Sequence, residues 1–410
     1  MARFDFFSQD AKRNPFPALR AVREAGPLVE VNFPIVGKAY LATTWASVGD
    51  FLKGHDLFAA DARNAGKSNV LGFWWAPRMV RILAQTMLTL DDPDHRRLRK
   101  LVDAPFRRDR IEAMRPVVAR IADELLDEME ASGDLDLVRG FARELPLRVI
   151  SEMLGLEAEE RQRVTQWMSE FSSVTSIVSV ARILQIIGKM MNYFRAEFAR
   201  RRMDPRPGLV TELVQAEADG DRLSEDELLA MVFLLFIAGH ETTTHLISTS
   251  VLDLLEHPDQ LDLLKSDPSI MSNAVEELHR HNSPVQATKP RMARRDMDFH
   301  GVHLKQGDRV FGLLASANAD PAHFADPERL DLRRNNVRHA GYGGGMHLCL
   351  GMHLARVETE VALERLLKRW PSLSLAVPAG QLRWLPRPGM RGPMTLPLQV
   401  AGLRKRSRAA

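Results

Sequence analysis

The chain has 410 residues, of which 45% are hydrophobic and 27% charged, and its 56 Lys and Arg against 53 Asp and Glu give a net charge of +3. This composition excludes a disordered chain, which would be poorer in apolar residues and less balanced in charge. The small net charge argues against bulk nucleic-acid binding. Cys349 is the single cysteine, which excludes intrachain disulfides and CxxC zinc sites.

The sequence carries no repeat, low-complexity tract or long linker. We therefore expect one domain over residues 1–410, with a disordered basic tail at 404–410. The first residues lack the apolar core of a signal peptide, and the most apolar run, 231–239, is far shorter than the ~20 residues that span a bilayer. These features predict a soluble, cytoplasmic protein without a membrane span.

Most of the chain predicts helix. Residues 28–32 and 40–43 indicate a short hairpin near the beginning. Apolar residues that recur every three or four positions then predict amphipathic helices over 109–130, 141–154, 159–174 and 180–202. Ser224 with Glu227 forms a capping-box signature, which begins a long helix that extends to about residue 256.

The periodicity changes in the last third of the chain. A helix over 273–281 ends before Pro284, and short strands follow within 297–311, around a turn signal at 306–308. A last helix is predicted over 350–370. The predicted fold class is therefore mainly α with a smaller β part.

A glycine-rich segment with Cys349 at its end precedes this last helix. Unusual torsions or a very close approach of the backbone are indicated by Gly341, Gly343, Gly344 and Gly345. A GxGxxG dinucleotide loop is excluded, because Met346 and Leu348 occupy positions that need glycine. Two interpretations of Cys349 remain, a buried cysteine after a turn or a thiolate metal ligand. The helix N-terminus and nearby amides should favour the thiolate.

The long helix contains a second polar segment, in which His240-Glu241 resembles the start of the zinc motif HExxH. The second histidine of that motif would stand at position 244, which is Thr. His245 lies five residues after His240 and therefore roughly 140° around the helix, so the two rings do not share a ligand face. A zinc hydrolase is therefore disfavoured.

The same segment predicts a polar notch in an apolar helix. Thr242 can donate a hydrogen bond to the carbonyl of Ala238, four residues earlier, and Gly239 removes side-chain bulk there. Such a notch offers space for a small molecule and a proton.

Two further pairs are weak signals when taken alone. Glu277 and Arg280 stand three residues apart and can pair on one helix face, although most such pairs are surface pairs. His95 and Arg99 stand one turn apart, which is typical of a basic surface and equally of a face that binds two carboxylates.

Together, these four segments resemble the cytochrome P-450 superfamily of haem-thiolate monooxygenases, in its soluble bacterial form. The glycine-rich segment is similar to the haem-binding loop FGxGxHxCxG, with Tyr342 where Phe is usual. Residues 238–243 are similar to the oxygen-activation motif (A/G)GxET, and the two pairs match the family's ExxR and HxxxR. The resemblance covers nearly the whole chain.

The resemblance implies a haem b held between the long central helix and the Cys-loop helix. It implies that Cys349 ligates the iron, that Glu241 and Thr242 are the catalytic proton-delivery pair, and that Glu277 and Arg280 form a structural ion pair. The cofactor-binding residues it implies, the first four as propionate partners, are His95, Arg99, Arg291, His339, Ala238, Gly239, Tyr342, Gly343, His347, Cys349 and Gly351.

Substrate contacts are expected from poorly patterned apolar stretches on the side of the haem opposite the cysteine. We expect the substrate-lining residues Phe73, Trp74, Leu83, Val174, Leu235, Val285 and Met394. Few charges interrupt these stretches, so we expect an apolar substrate such as a terpenoid, steroid, fatty acyl chain or polyketide-like molecule.

The function implied by the resemblance is insertion of one oxygen atom from O2 into this substrate, with electrons from NAD(P)H through a separate ferredoxin reductase and an acidic ferredoxin. A basic platform for the ferredoxin is expected from Arg99, Lys100, Arg107, Arg108, Arg110, Arg333, Arg334 and Arg356. A peroxide-driven peroxygenase and a haem-based sensor are alternatives, and the intact Glu241 and Thr242 argue against both.

Overall fold

The computed structural model describes residues 4–33, 37–67, 78–172, 179–218, 221–335 and 337–402. Its helices α1 to α16 are, in chain order, Gln9–Arg13, Phe16–Glu24, Trp45–Lys53, Arg78–Ala84, Asp94–Val102, Arg108–Glu112, Arg115–Ser132, Glu144–Met153, Ala158–Ser172, Ser179–Met203, Leu209–Gln215, Glu225–Glu256, Pro258–Ser266, Met271–Asn282, Leu314–Asn318 and Met352–Arg369. Its strands β1 to β11 are Leu28–Phe33, Gly37–Ala42, Phe58–Ala59, Glu217–Ala218, Asp221–Arg222, Arg291–Ala293, Met297–Phe299, Val302–Leu304, Arg309–Gly312, Leu373–Leu375 and Leu398–Val400.

The largest sheet has five strands in the order β1-β2-β9-β6-β3. Strands β1 and β2 form the predicted antiparallel hairpin, with Glu30 opposite Tyr40, and β2 then pairs in parallel with β9. Strand β6 pairs antiparallel with both β9 and β3. The sheet thus joins the N-terminal part of the chain to the segment that follows α14.

Helix α12 lies at the centre and packs against α4, α8, α10, α14 and α16. It begins with the predicted capping box, in which the Ser224 hydroxyl accepts from the N–H of Glu227. Its residues 228–236 belong to one core cluster with α10, and its residues 247–254 belong to another with α7, α14 and α16. The interval between them belongs to neither cluster, and it contains the predicted polar notch.

By length and composition, α12 could cross a membrane. In this fold, 67% of its most apolar 18-residue stretch is buried inside the protein. Burial of this kind is what the core helix of a folded domain shows.

The structure confirms a mainly α fold with a smaller β part and corrects one predicted helix. The predicted helix 109–130 is two helices, α6 and α7, because Pro116 lacks an N–H and is accommodated only in the first turn of α7. The hairpin between β7 and β8 turns at His300 and Gly301, both with positive φ, as a two-residue loop requires. The predicted turn at 306–308 is confirmed and leads from β8 into β9.

Four predictions lie outside the described residues. They concern Phe73, Trp74, Val174 and the tail 404–410.

One buried carboxyl group joins two central helices. Glu358 of α16 is fully buried and hydrogen-bonds Thr243 of α12. Burial disfavours the charged form and raises the pKa of Glu358 to about 8, although the Thr243 hydrogen bond opposes the shift. At neutral pH the folded protein therefore holds a proton that the unfolded chain has released.

This proton predicts a pH-dependent stability. Between the pKa of a free glutamate, about 4.3, and about 8, unfolding releases the Glu358 proton, so stability falls as pH rises through this window. We expect Glu358→Gln to remove this dependence. As the pH rises, the free energy of unfolding of wild type should fall by up to about 1.4 kcal/mol per pH unit relative to that of the variant. Urea unfolding of both proteins across the window measures the difference. The exposed Glu364 on the same helix provides the control Glu364→Gln, which should behave as wild type. Parallel pH profiles for wild type and Glu358→Gln would contradict the assignment.

Candidate functional site

The loop that ends at Cys349 is shaped by its glycines. Gly343 and Gly345 have φ values of 71° and 63°, in the region that favours glycine. A Cβ at Gly345 would overlap the carbonyl oxygen of Leu52 in α3. The Cys349 N–H donates to the carbonyl of Tyr342 at 3.0 Å, which closes the loop, and α16 begins three residues after the cysteine, at Met352. The sequence thus places its only thiol on a loop held tightly against α3.

The expectation of a favoured thiolate in the free chain is wrong. Burial is the largest influence on Cys349 and raises the pKa of its thiol. The Gly351 N–H and the cations Arg99 and Arg356 act in the opposite direction but do not overcome burial. A bound metal ion would be needed to hold the sulfur deprotonated.

Four nitrogen-bearing side chains gather beside this loop. The rings of His95 and His347 lie 4.6 Å apart, centroid to centroid. Arg99 donates to the carbonyl of Leu348 at 2.8 Å, and the buried Arg291 donates to the carbonyl of Leu52 at 3.1 Å. The charge of Arg291 contributes to lowering the pKa of both histidines, so it lies close to them.

Both histidines in this cluster are neutral hydrogen-bonding groups at physiological pH. Burial lowers the pKa of His95, and burial with the nearby cations lowers the pKa of His347 to about 3. The buried Nε2 of His347 has no hydrogen-bond partner among the described residues. Because an unpaired buried nitrogen is costly, this atom indicates a ligand group at the cluster.

His339 stands apart from the other three predicted propionate partners. Its Nε2 lies 3.3 Å from a carboxylate oxygen of Glu276, and its Nδ1 accepts the N–H of Gly341. Its ring contacts His279 and Tyr342, behind the Cys loop. The structure therefore does not bring His339 together with the other three, and its role as a propionate partner stays a prediction. His347 joins His95, Arg99 and Arg291 instead.

The predicted notch is present on α12. The Thr242 hydroxyl donates to the carbonyl of Ala238 at 2.7 Å, as the sequence predicts. A Cβ at Gly239 would have no atom within 4 Å, and Ile237 and Ala238 are exposed although the helix is mostly buried. This face of α12 therefore opens onto a cleft.

Glu241 does not contact Thr242 through its side chain. Both of its carboxylate oxygens pair with the guanidinium of Arg387, on the segment between α16 and β11. Sequence reasoning missed Arg387, because no local pattern connects residues that stand 146 positions apart. The loop around residue 387 thus meets α12 at the notch.

The ExxR pair is structural. Arg280 forms two 2.7 Å hydrogen bonds with the carboxylate of Glu277, and both side chains are completely buried. The same guanidinium donates to the carbonyls of Asn318 and Pro327 at 2.9 and 2.7 Å. The pair therefore fixes α14 to the segment that leads to the Cys loop.

Known proteins were compared with the chain. The family model "Cytochrome P450" matches residues 174–267 and 268–375. The chain is 36% identical to "Polyketide biosynthesis cytochrome P450 PksS" of Bacillus subtilis, covering 95% of this chain and 96% of that protein. It is 37% identical to "Vitamin D(3) 25-hydroxylase" of Pseudonocardia autotrophica, with coverages of 97% and 96%. The chain belongs to the cytochrome P450 family.

The solved structure of Bacillus subtilis PksS matches this P450 with a TM-score of 0.89 at 35% identity, covering 97% of this chain and all of that one. The match confirms the fold that the sequence motifs implied. The relatives carry the names of hydroxylases and monooxygenases, and this chain is likewise a P450 monooxygenase.

The family implies a haem-thiolate cofactor, and the residues present fit it. Cys349 supplies the one thiol, and the unpaired Nε2 of His347 lies in a cluster with two guanidinium groups, which match two propionates. The open space at Gly239 leaves room on the face of α12. Among the described residues, no group of three His, Cys, Asp or Glu could hold a separate metal ion.

Tyr342 replaces the Phe that is usual in the haem-binding loop. Its ring lies between the Arg356 guanidinium, 4.9 Å from the ring centroid, and the His279 ring, at 4.4 Å. Its buried hydroxyl has no hydrogen-bond partner among the described residues. Burial raises the pKa of this hydroxyl well above its usual value, so it remains a neutral donor.

The described residues with a predicted substrate contact divide into two groups. Leu235 is buried, and Leu83 is partly buried against the same core cluster as α10. Val285 pairs with Met390 in an isolated bridge, and Met394 is 48% exposed. Ile237, which the sequence analysis did not single out, is the exposed apolar residue beside the notch.

Two of the arginines expected on the docking platform are committed elsewhere. Arg334 pairs with Glu277 at 3.0 Å, and Arg356 forms two hydrogen bonds with Glu276. Arg99 is held by Leu348 and Asp103. The other members of the expected platform, Lys100, Arg107, Arg108, Arg110 and Arg333, are exposed, and of these Arg333 also pairs with Asp267 at 3.0 Å.

Proposed function

We propose that this P450 binds haem b through Cys349 and inserts one oxygen atom from O2 into an apolar small molecule. The observation that carries the proposal is the single thiol on its glycine loop, with two histidines and two arginines gathered beside it. The open polar notch on α12 supports it. The family membership supports the same reaction class. A carbon monoxide difference spectrum of the reduced protein tests the thiolate ligation.

When bound, a thiolate-ligated haem supplies the activation of dioxygen. The chain supplies the proton path. Because the Thr242 hydroxyl donates to Ala238, its oxygen remains free to accept a hydrogen bond from a molecule in the notch. Glu241 is the nearest acid in the chain, one residue earlier, and it would exchange its contact with Arg387 for one with the notch to pass a proton.

The relatives indicate large, mostly apolar substrates. Their names connect them with polyketide biosynthesis and vitamin D3. The exposed Ile237 gives this chain apolar surface beside the notch, which suits a molecule of that kind. Ligand-induced spin-state shifts across a panel of apolar compounds would identify the class.

Cys349→Ser tests the axial ligand. The chain has no other cysteine, so we expect complete loss of the carbon monoxide band of a thiolate haem. Tyr342→Phe, which restores the usual family residue in the same loop, is the control and should keep the band. A thiolate band in Cys349→Ser would show that the ligand is misassigned.

Thr242→Ala tests the proton path. Loss of the hydroxyl should release several-fold more peroxide per reduced nicotinamide consumed, because electrons are used without product formation, while substrate binding is retained. Thr244 makes the same kind of bond, to the carbonyl of His240 at 2.9 Å, but is buried away from the notch. Thr244→Ala is therefore the matched control. Equal coupling in both variants would remove Thr242 from the path.

We also propose that electrons come from NAD(P)H through an acidic ferredoxin that docks on the Cys349 side. Helix α6 packs against α16, and Arg108 lies near His353, just after the cysteine. Arg107 and Arg108 are exposed there, next to Lys100 and Arg110. Attraction to an acidic partner would act mainly on the rate of encounter.

Reversal of these charges tests the docking face. We expect Arg107→Glu with Arg108→Glu to slow reduction by ferredoxin about tenfold at low salt. The effect should be smaller at physiological salt, where charges more than ~8 Å apart are largely screened. Substrate-induced spectral shifts should be unchanged. The exposed Arg163 and Arg202, on α9 and α10, provide a control double reversal with the same change in net charge. Equal reduction rates in the two double variants would rule out this face.

A further inference from the structure

The segment that carries Arg387 is a hairpin over residues 383–394. Two backbone hydrogen bonds, of 2.8 and 2.9 Å, join its two arms. Residues 387–390 form its tip, where Gly389 has a φ of 72°, in the region that favours glycine. A defined turn therefore places Arg387, the partner of Glu241.

The hairpin packs against α12 at two successive helix turns. At the first, both carboxylate oxygens of Glu241 pair with the Arg387 guanidinium. His245 stands four residues after Glu241, on the same face of the helix. A Cβ at Gly392 would overlap the His245 ring, so the hairpin backbone lies directly against that ring. The position of the hairpin thus determines where the partner of Glu241 stands.

Lys12 of α1 binds the tip of this hairpin. Its side chain is buried, and its ammonium donates to the carbonyl of Arg387, at 3.0 Å, and to the carbonyl of Met390. The side-chain oxygen of Gln286 lies 3.5 Å from the same nitrogen. One charged group therefore holds the first and the last residue of the tip, through hydrogen bonds that are stronger than those between neutral groups.

Other contacts hold the rest of the hairpin to α1. The side chain of Gln9 accepts the Trp384 N–H at 2.7 Å and donates to the Trp384 carbonyl at 3.0 Å. The Arg391 guanidinium donates to the backbone carbonyls of Lys12 and Arg13, at 2.8 and 3.0 Å. A substitution of the Lys12 side chain leaves all these bonds in place, so its effect should be confined to the tip.

We propose that Lys12 is a positioning residue for proton delivery. Lys12 fixes the tip of the hairpin, the tip fixes Arg387, and Arg387 holds the carboxylate of Glu241 beside the notch. The inference rests on the proposed function, in which Glu241 passes the proton, and it adds a residue of the N-terminal region to that path. Without the Lys12 ammonium, the tip moves more freely and Glu241 loses its defined position.

Hydrogen exchange of the haem-bound protein tests the contact. Lys12→Met keeps an unbranched side chain and removes the ammonium. We expect the amides of residues 387–392 to exchange several-fold faster in this variant than in wild type, because the tip opens more often. Arg13→Met is the matched control on the same helix, since the Arg13 guanidinium binds the carbonyl of Gly380, outside the hairpin, at 2.6 Å. Exchange of the tip in this control should equal that in wild type.

Peroxide release tests the role in proton delivery. Dodecan-1-ol and progesterone serve as apolar probes, and peroxide per reduced nicotinamide consumed is measured with one ferredoxin and reductase for all variants. We expect several-fold more peroxide from Lys12→Met than from wild type, and no change in Arg13→Met. In the Glu241→Gln background, Lys12→Met should cause no further increase, because no carboxylate remains for Arg387 to hold.

The outcomes separate this inference from the proposed function. If wild type lacks the thiolate carbon monoxide band, the proposed function fails and the inference fails with it. If the band is present, unchanged exchange of the tip in Lys12→Met overturns the inference alone. Equal peroxide release by wild type and Lys12→Met overturns it as well.

A merely structural role of Lys12 has its own signature. Lys12→Met would then increase peroxide release by the same factor with Glu241 and with Glu241→Gln, and this result would overturn the inference. Should Lys12→Met not fold, Arg387→Met tests the partly exposed link of the same path. It must also increase peroxide release several-fold, and only where Glu241 is present. An increase in both backgrounds, or none in either, would overturn the path through Arg387.

Discussion

The buried pair of Glu277 and Arg280 is the interaction on which the rest of the site depends. A buried ion pair is costly unless every donor and acceptor is used, and here the Arg280 guanidinium also donates to carbonyls of the segment that approaches the Cys loop. The backbone carbonyl of Asn318 accepts one of these bonds, and its side-chain oxygen accepts the N–H of Ala340 at 2.7 Å. The position of Cys349 is therefore transmitted from α14 through a chain of satisfied hydrogen bonds.

The sequence predicted those features that local patterns encode. The capping box at Ser224, the bond from Thr242 to Ala238 and the mainly α fold all follow from residues close together in the chain. The motif resemblance added site residues such as His347, because each motif has fixed spacing, and the family position added Arg291. It also grouped His339 with the propionate partners, whereas His339 lies against Glu276 and Gly341.

The remaining features depend on long-range contacts or on the balance of opposing effects. No spacing rule connects Glu241 with Arg387 or separates the exposed arginines from Arg334 and Arg356, which bind acids of α14. The direction of the Cys349 pKa shift was equally inaccessible, because nearby amides and cations lower that pKa while burial raises it. Only the packed structure shows which influence is larger.

The carbonyl of Leu52, at the end of α3, contacts both sides of the cofactor site. It accepts a hydrogen bond from Arg291 and lies where a side chain at Gly345 would stand. One peptide group thus sets the spacing between the propionate cluster and the thiol-bearing loop, although it lies some three hundred residues earlier in the chain than Cys349. The N-terminal region is therefore a structural part of the haem site, and deletions or fusions that shift α3 would misalign the two halves of the cofactor cradle.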